Sequence, residues 1–279
     1  MRTLRIGPLT IGLRGLTDPW AAVVDRRFGG FVERGAAPAP DVEVRIVPRA
    51  GERMLDPWVP GEAYRIEAER QGATLAVRSY HFALGREPGG PWQLAIEDTG
   101  REPVGRIIEN ALRYVLAHLA IERDGFAMHG AGVRRDGRAW VFAGPSRSGK
   151  TTAVSLSAPC ESLGDDFAVV LPDGRGGWGV PAVPFDNAET APRDPVRGLV
   201  PLAGIWRLIQ SSGHAVDRPA PSIAQASLLA CAAFPWAFPG MEDRLADAVG
   251  RVAEAGLFAH LRFARDPGFW QVLVRESAG

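Results

Sequence analysis

One lysine, Lys150, stands among the 32 lysine and arginine side chains of this chain; every other basic residue is arginine. It lies within Gly144-Pro145-Ser146-Arg147-Ser148-Gly149-Lys150-Thr151-Thr152, which fits the phosphate-loop (Walker A) pattern G-x-x-x-x-G-K-[ST]. A compact ammonium on a thin stem reaches the outer phosphates inside a tight loop, whereas a planar guanidinium is too wide. In such a loop the backbone N–H groups converge on phosphate oxygens and the following helix adds its dipole. Lys150 is expected to bridge the β- and γ-phosphates, and the Thr151 hydroxyl to hold Mg²⁺. Arg147 occupies a place where a small residue often sits. It either reaches the γ-phosphate or points to solvent.

Two further elements carry chemistry. Asp165-Asp166 follows the loop helix, where adjacent acids suit Mg²⁺ coordination and general-base work. Successive side chains of an extended strand face opposite ways, so only one of the pair faces the phosphates unless Gly164 distorts the strand. The bland alternative is a solvated acid pair. His129 follows an apolar run and is either a structural histidine or one that holds a phosphate oxygen or moves a proton. His81, His118, His214 and His260 are read as structural.

The elements that must position these residues come from periodicity. Phe126–Val133 reads as one strand, Asp136-Gly137 as a turn, and Arg138–Ala143 as a strand running straight into the loop. Glu161–Leu171 reads as a strand broken by Gly and acid near its start, with a return at Trp178–Val180 after Pro172-Asp173-Gly174. Residues 181–201 read as a long loop, functional or mobile, whose Arg193 and Arg197 either close over a substrate or are solvated. Strands are expected at 203–210 and 261–263. Helices are expected from Ser222 to Ala232, from Met241 to Phe258, and after Asp266-Pro267. Upstream, apolar residues from Ile107 to Leu119 recur at three and four, marking a helix from about Pro103 to Asp124-Gly125. The first hundred residues read as β-rich: Asp41–Val47 alternates strictly, Tyr64–Ala68 and Leu75–Val77 flank a turn at Gln71-Gly72, and Trp92–Ile96 is another strand. The expected organisation is therefore a β-rich region over 1–100 and a catalytic α/β domain over 101–279.

Composition bounds the rest. The 279 residues are 46% hydrophobic and 23% charged with formal net charge zero, so nothing global attracts nucleic acid or an anionic membrane. No basic stripe or recognition-helix pattern points to DNA. Cys160 and Cys231 have no metal or disulfide spacing and suit a reducing compartment. The opening residues lack a signal-peptide core, and no apolar run approaches the roughly 20 residues of a membrane span. The expectation is a soluble cytoplasmic protein.

His129-Gly130, the loop at 144–152 and the acid pair together resemble the catalytic domain of HPr kinase/phosphorylase and the wider group of kinase homologues sharing that core. The likeness covers about residues 126–210. It implies a P-loop kinase core of the HPr kinase/phosphoenolpyruvate carboxykinase type, with ATP and Mg²⁺ as cofactors. It also implies roles: Asp166 as the base accepting the hydroxyl proton, His129 assisting at the phosphate, Lys150 on the phosphates, Thr151 and Asp165 at the metal. The family's Glu-Ile-Arg-Gly-Leu-Gly segment, with its Mg²⁺-binding glutamate, is absent; Asp186 and Glu189 are candidate substitutes.

The function expected is an ATP-dependent kinase moving the γ-phosphoryl group to a Ser or Thr hydroxyl of a peptide or protein, with no nucleic-acid or membrane partner. Alternatives are a small-molecule kinase on the same core and a nucleotide-binding regulatory module without transfer activity. The residues of the N-terminal region leave three roles open: binding the acceptor, capping the core or forming a homo-oligomer.

Overall fold

The computed structural model describes residues 1–35, 39–48, 54–55, 65–97, 100, 102–185, 194–234 and 237–277. The fold is mixed α/β and rich in strands, with two mixed sheets. Contacts divide the chain into two compact units. One is built mainly from Met1–Val115; the other comprises Leu116–Asn187, Pro195–Pro235 and Met241–Gly279.

The first unit contains β1 (Arg2–Ile6), β2 (Leu9–Arg14), α1 (Asp18–Phe28), β3 (Val42–Pro48), β4 (Glu67–Gln71), β5 (Thr74–Arg78), β6 (Phe82–Arg86) and β7 (Trp92–Ile96). Its seven-stranded sheet has the order β1-β2-β3-β7-β6-β5-β4. The alternation at 41–47 appears as β3, and the hairpin expected around Gln71-Gly72 as the β4–β5 pair, with Gln71 opposite Thr74. The β1–β2 hairpin, α1 and β6 carried no reading from the sequence. Helix α2 (Val104–Glu122) follows. Its apolar stripe is buried, and so is Glu109, which accepts hydrogen bonds from Arg27 and Arg113. A buried carboxylate is tolerable only when paired in this way.

The second unit contains β8 (Phe126–Met128), β9 (Gly130–Arg135), β10 (Arg138–Ala143), α3 (Lys150–Ser155), β11 (Glu161–Gly164), β12 (Ala168–Pro172), β13 (Trp178–Pro181), β14 (Leu199–Gln210), β15 (Ala215–Asp217), α4 (Pro221–Leu229), α5 (Glu242–Glu254), β16 (Phe258–Phe263) and α6 (Phe269–Ser277). Its nine-stranded sheet runs β11-β9-β10-β14-β13-β12-β8, with β16 joining β14 to β15. Strands β10, β14 and β16 are mutually parallel. Their carboxyl ends therefore share one edge.

Three expectations are corrected here. The run 126–133 is two strands, not one: β8 pairs with β12 and β9 with β10 and β11. These pairings lie far apart along the sheet order, yet only His129 separates the strands, so the sheet curls until they meet there. Likewise 161–171 divides into β11 and β12, which pair with different partners. Strand β14 begins at Leu199, inside the expected loop, because Leu199–Pro201 pair with β13 before the strand continues beside β10 and β16.

One face of this sheet packs on α3 and α6 through Val133, Trp140, Phe142, Ala153, Trp206, Leu208, Phe263, Phe269 and Trp270. Trp140 stacks on Trp206 at 5.9 Å and meets Trp270 edge-on at 5.2 Å. Each such pair adds about 0.5–1.5 kcal/mol beyond burial. This aromatic layer fixes β10 and β14, and through them the start of the loop between β10 and α3.

Candidate functional site

Residues 144–149 link β10 to α3, as a phosphate loop requires. Gly144 has φ +148°, and a Cβ there would stand 2.7 Å from Ser148 Oγ; only glycine lets the chain turn this closely on itself. Ser148 N–H donates to the Pro145 carbonyl at 3.1 Å. Arg147 sits at φ +65° with an exposed side chain, and its carbonyl accepts from Gln210 Nε2 at 2.9 Å. Gln210 ends β14, so the neighbouring parallel strand clamps the tip of the loop.

Lys150 is 8% exposed. Its ammonium donates to the carbonyls of Gly144 at 3.0 Å and Pro145 at 3.1 Å. Such bonds are what allow a cation to be buried, and they hold the charge over the loop's own backbone. The next residue faces the acid pair: Thr151 Oγ1 donates to Asp165 Oδ2 at 2.9 Å.

The acid pair reaches this place through a local distortion. Gly164 has φ +137°, and a Cβ there would meet Val183 Cγ2 at 2.4 Å. The register between β11 and β9 shifts between Ser162 and Gly164. Asp165 N–H donates to the Phe185 carbonyl at 3.3 Å, and Asp166 takes φ +78°. Both acids are half-buried. Strict alternation therefore does not apply to them, which was the condition for both to serve one site.

The register brings His129 to the same end of the sheet. Gly130 pairs with Ala143, the last residue before the loop, and Gly132 pairs with both Val141 and Gly164. The starts of β9 and the ends of β10 and β11 thus lie side by side. His129 is exposed, its N–H donates to the Cys231 carbonyl at 2.8 Å, and its ring meets Phe234 edge-on at 6.5 Å. The segment after α4 lies along β8, with Met128 bridged to Ala232 and Ala233 N–H bonded to the Ala127 carbonyl. The helix expected from Ser222 to Ala232 stops at Leu229, and the sequence reading gave Cys231, Phe234, Gln210 and Arg207 no place at the site. Arg207 pairs with Ala143 from β14.

The remaining histidines stand beside carboxylates: His81 near Glu102, His118 near Glu122, His214 bonded to Asp266, His260 near Asp217. That suits structural roles. Cys160 and Cys231 are free, and burial pushes both thiols above their ordinary pKa. Asp186, Glu189 and Arg193 lie outside the described residues; Arg197 is exposed. Among the described residues no helix is long and apolar enough to cross a membrane.

The family of the SynChlorMet cassette protein ScmC matches residues 99–230. This stretch is just under half of the chain and includes α2, His129, the loop, the acid pair and β14. To that family the chain is similar over these residues. No curated protein matches the chain.

Proposed function

We propose that this chain is an ATP-dependent phosphotransferase with a P-loop kinase core of the HPr kinase type, acting on a Ser or Thr hydroxyl of a peptide or protein. The observation that carries this is the meeting of Lys150, Thr151 and Asp165: a buried ammonium over a glycine-bounded loop, with a hydroxyl and a carboxylate in contact beside it. Two features suit polyphosphate. Gly144 leaves a cradle that a Cβ would fill, and Ser148 Oγ is buried with no hydrogen-bond partner among the described residues. A divalent cation also fits. No cluster of three His, Cys, Asp or Glu is present among the described residues, so the ligands would be Thr151, Asp165 and oxygens of the nucleotide. Mg²⁺ is usually held in this way, by one or two carboxylates and substrate phosphates.

The chain's own residues then divide the work. Lys150 binds the outer phosphate oxygens and offsets their charge. Loop amides orient the γ-phosphoryl group for in-line attack. Mg²⁺, when bound, supplies further neutralisation of the β- and γ-oxygens. As the acceptor oxygen bonds to the γ-phosphorus, its proton passes to the Asp166 carboxylate. The bond from that phosphorus to the bridging oxygen breaks, and ADP leaves. His129, at the start of β9, assists at the phosphate from the opposite strand.

The test is transfer of ³²P from γ-labelled ATP to a degenerate library of Ser- and Thr-containing peptides. Wild type should label peptides. Asp166→Asn should lower the rate by about 10²–10⁴-fold with nucleotide binding retained, and Lys150→Ala by about 10²-fold or more. Tight ATP binding without transfer to any hydroxyl would overturn the kinase assignment in favour of a regulatory module.

A further inference from the structure

Arg207 lies on β14 beside Ala143, the residue that leads into the phosphate loop. Its neighbours Trp206 and Leu208 enter the aromatic core with Trp140 and Phe142. Alternation along the strand sends Arg207 to the opposite face, the face away from α3. There its register partner is His260, and the segment carrying Cys231 passes close by. Arg207 and Lys150 both favour ionisation of the buried Cys231 thiol, against the larger opposing effect of its burial. The backbone links them as well: Ala143, the register partner of Arg207, leads directly into Gly144, whose carbonyl accepts from the Lys150 ammonium.

Arg207 is half-buried, and among the described residues it has no hydrogen-bond or ion-pair partner. Its nitrogens are not among the buried unpaired atoms, so the five donors of its guanidinium are open to a ligand. Two cations held near each other repel. An anion lying against both offsets that repulsion. We propose that Arg207 is a second phosphate-binding residue of the nucleotide site, gripping the polyphosphate from the sheet face opposite α3. This rests on the loop being a nucleotide site. Planar forked donors match two phosphate oxygens at once, which the single point charge of Lys150 does not.

The experiment measures displacement of a fluorescent ATP analogue by ATP and by inorganic tripolyphosphate, for wild type, Lys150→Ala, Arg207→Gln and Arg207→Lys. Arg207→Gln should weaken tripolyphosphate about tenfold and ATP similarly, with the melting temperature of the free protein little changed. Arg207→Lys should recover only part of the loss, because an ammonium does not fork. A merely structural Arg207 would lower the melting temperature and leave tripolyphosphate affinity as in wild type. That outcome overturns the proposal, as does wild-type affinity in the Arg207→Gln variant while Lys150→Ala has lost binding. If Arg207→Gln does not fold, unchanged tripolyphosphate affinity in Arg207→Lys overturns it instead. Failure of wild type to bind any nucleotide removes the nucleotide site itself, and the proposal with it.

Discussion

The Thr151 hydroxyl donates to the Asp165 carboxylate at 2.9 Å, across 14 residues of sequence. Thr151 lies in the first turn of α3, and Asp165 directly follows β11. Their contact joins the loop to the acid pair and makes the site one object.

In the proposed reading, Thr151 and Asp165 supply hard oxygen ligands to a divalent cation. Thr151→Ala and Asp165→Asn should each raise the Mg²⁺ concentration for half-maximal phosphoryl transfer by about tenfold or more. Mn²⁺ binding followed by electron paramagnetic resonance in the presence of ATP checks the same loss without turnover. Unaltered Mn²⁺ affinity in both variants would remove them from the metal site.

Gly164 sets the path of the acid pair. Gly164→Ala places a methyl group against Val183 and forces φ +137° on an L-residue, at a cost of about 3 kcal/mol. Urea denaturation should show the lower midpoint. Adding Val183→Ala should restore part of it by removing the clash, while the backbone strain remains.

Glu109 is buried between Arg27 and Arg113. Glu109→Ala removes the carboxylate shared by two largely buried guanidiniums, so unfolding free energy should fall by about 3 kcal/mol. A double-mutant cycle with Arg113→Ala should show coupling, since the two removals are not independent.

Asp266 accepts from His214 Nε2 and from the Gly268 N–H, both at 2.9 Å. The His214 bond foremost, then the backbone N–H, holds its carboxyl below the usual carboxylate range. The folded state thus binds this proton less readily than the unfolded chain. The contribution to stability is complete above the unfolded pKa of about 4 and is lost as pH falls through the lower folded value. Melting curves of wild type and Asp266→Asn should differ at pH 7 and converge toward pH 2. A constant difference over that range would reject the carboxylate's role.

The local features were legible because they depend on neighbours in sequence. The loop pattern between an apolar strand and a helix, the stripe from Ile107 to Leu119, the hairpin at Gln71-Gly72 and the turn at Asp136-Gly137 all follow from side-chain period and backbone geometry. The continuous runs at 126–133 and 161–171 misled because apolar periodicity does not register a change of partner strand. A strand leaving one pairing for another after a single residue keeps the same hydrophobic pattern.

By itself the sequence determined that one lysine lies in a phosphate-type loop, preceded by a histidine and followed by two acids, and that the flanking segments are strands and a helix. Tertiary structure alone decided that Gly130 meets Ala143, that Gly164 breaks the alternation so that Asp165 reaches Thr151, and that Arg207 arrives from β14 on the far face. The physical reason is the range of the interactions. Helix and turn preferences act over a few residues, whereas strand pairing and sheet curvature join positions dozens of residues apart, and those pairings set which charges become neighbours.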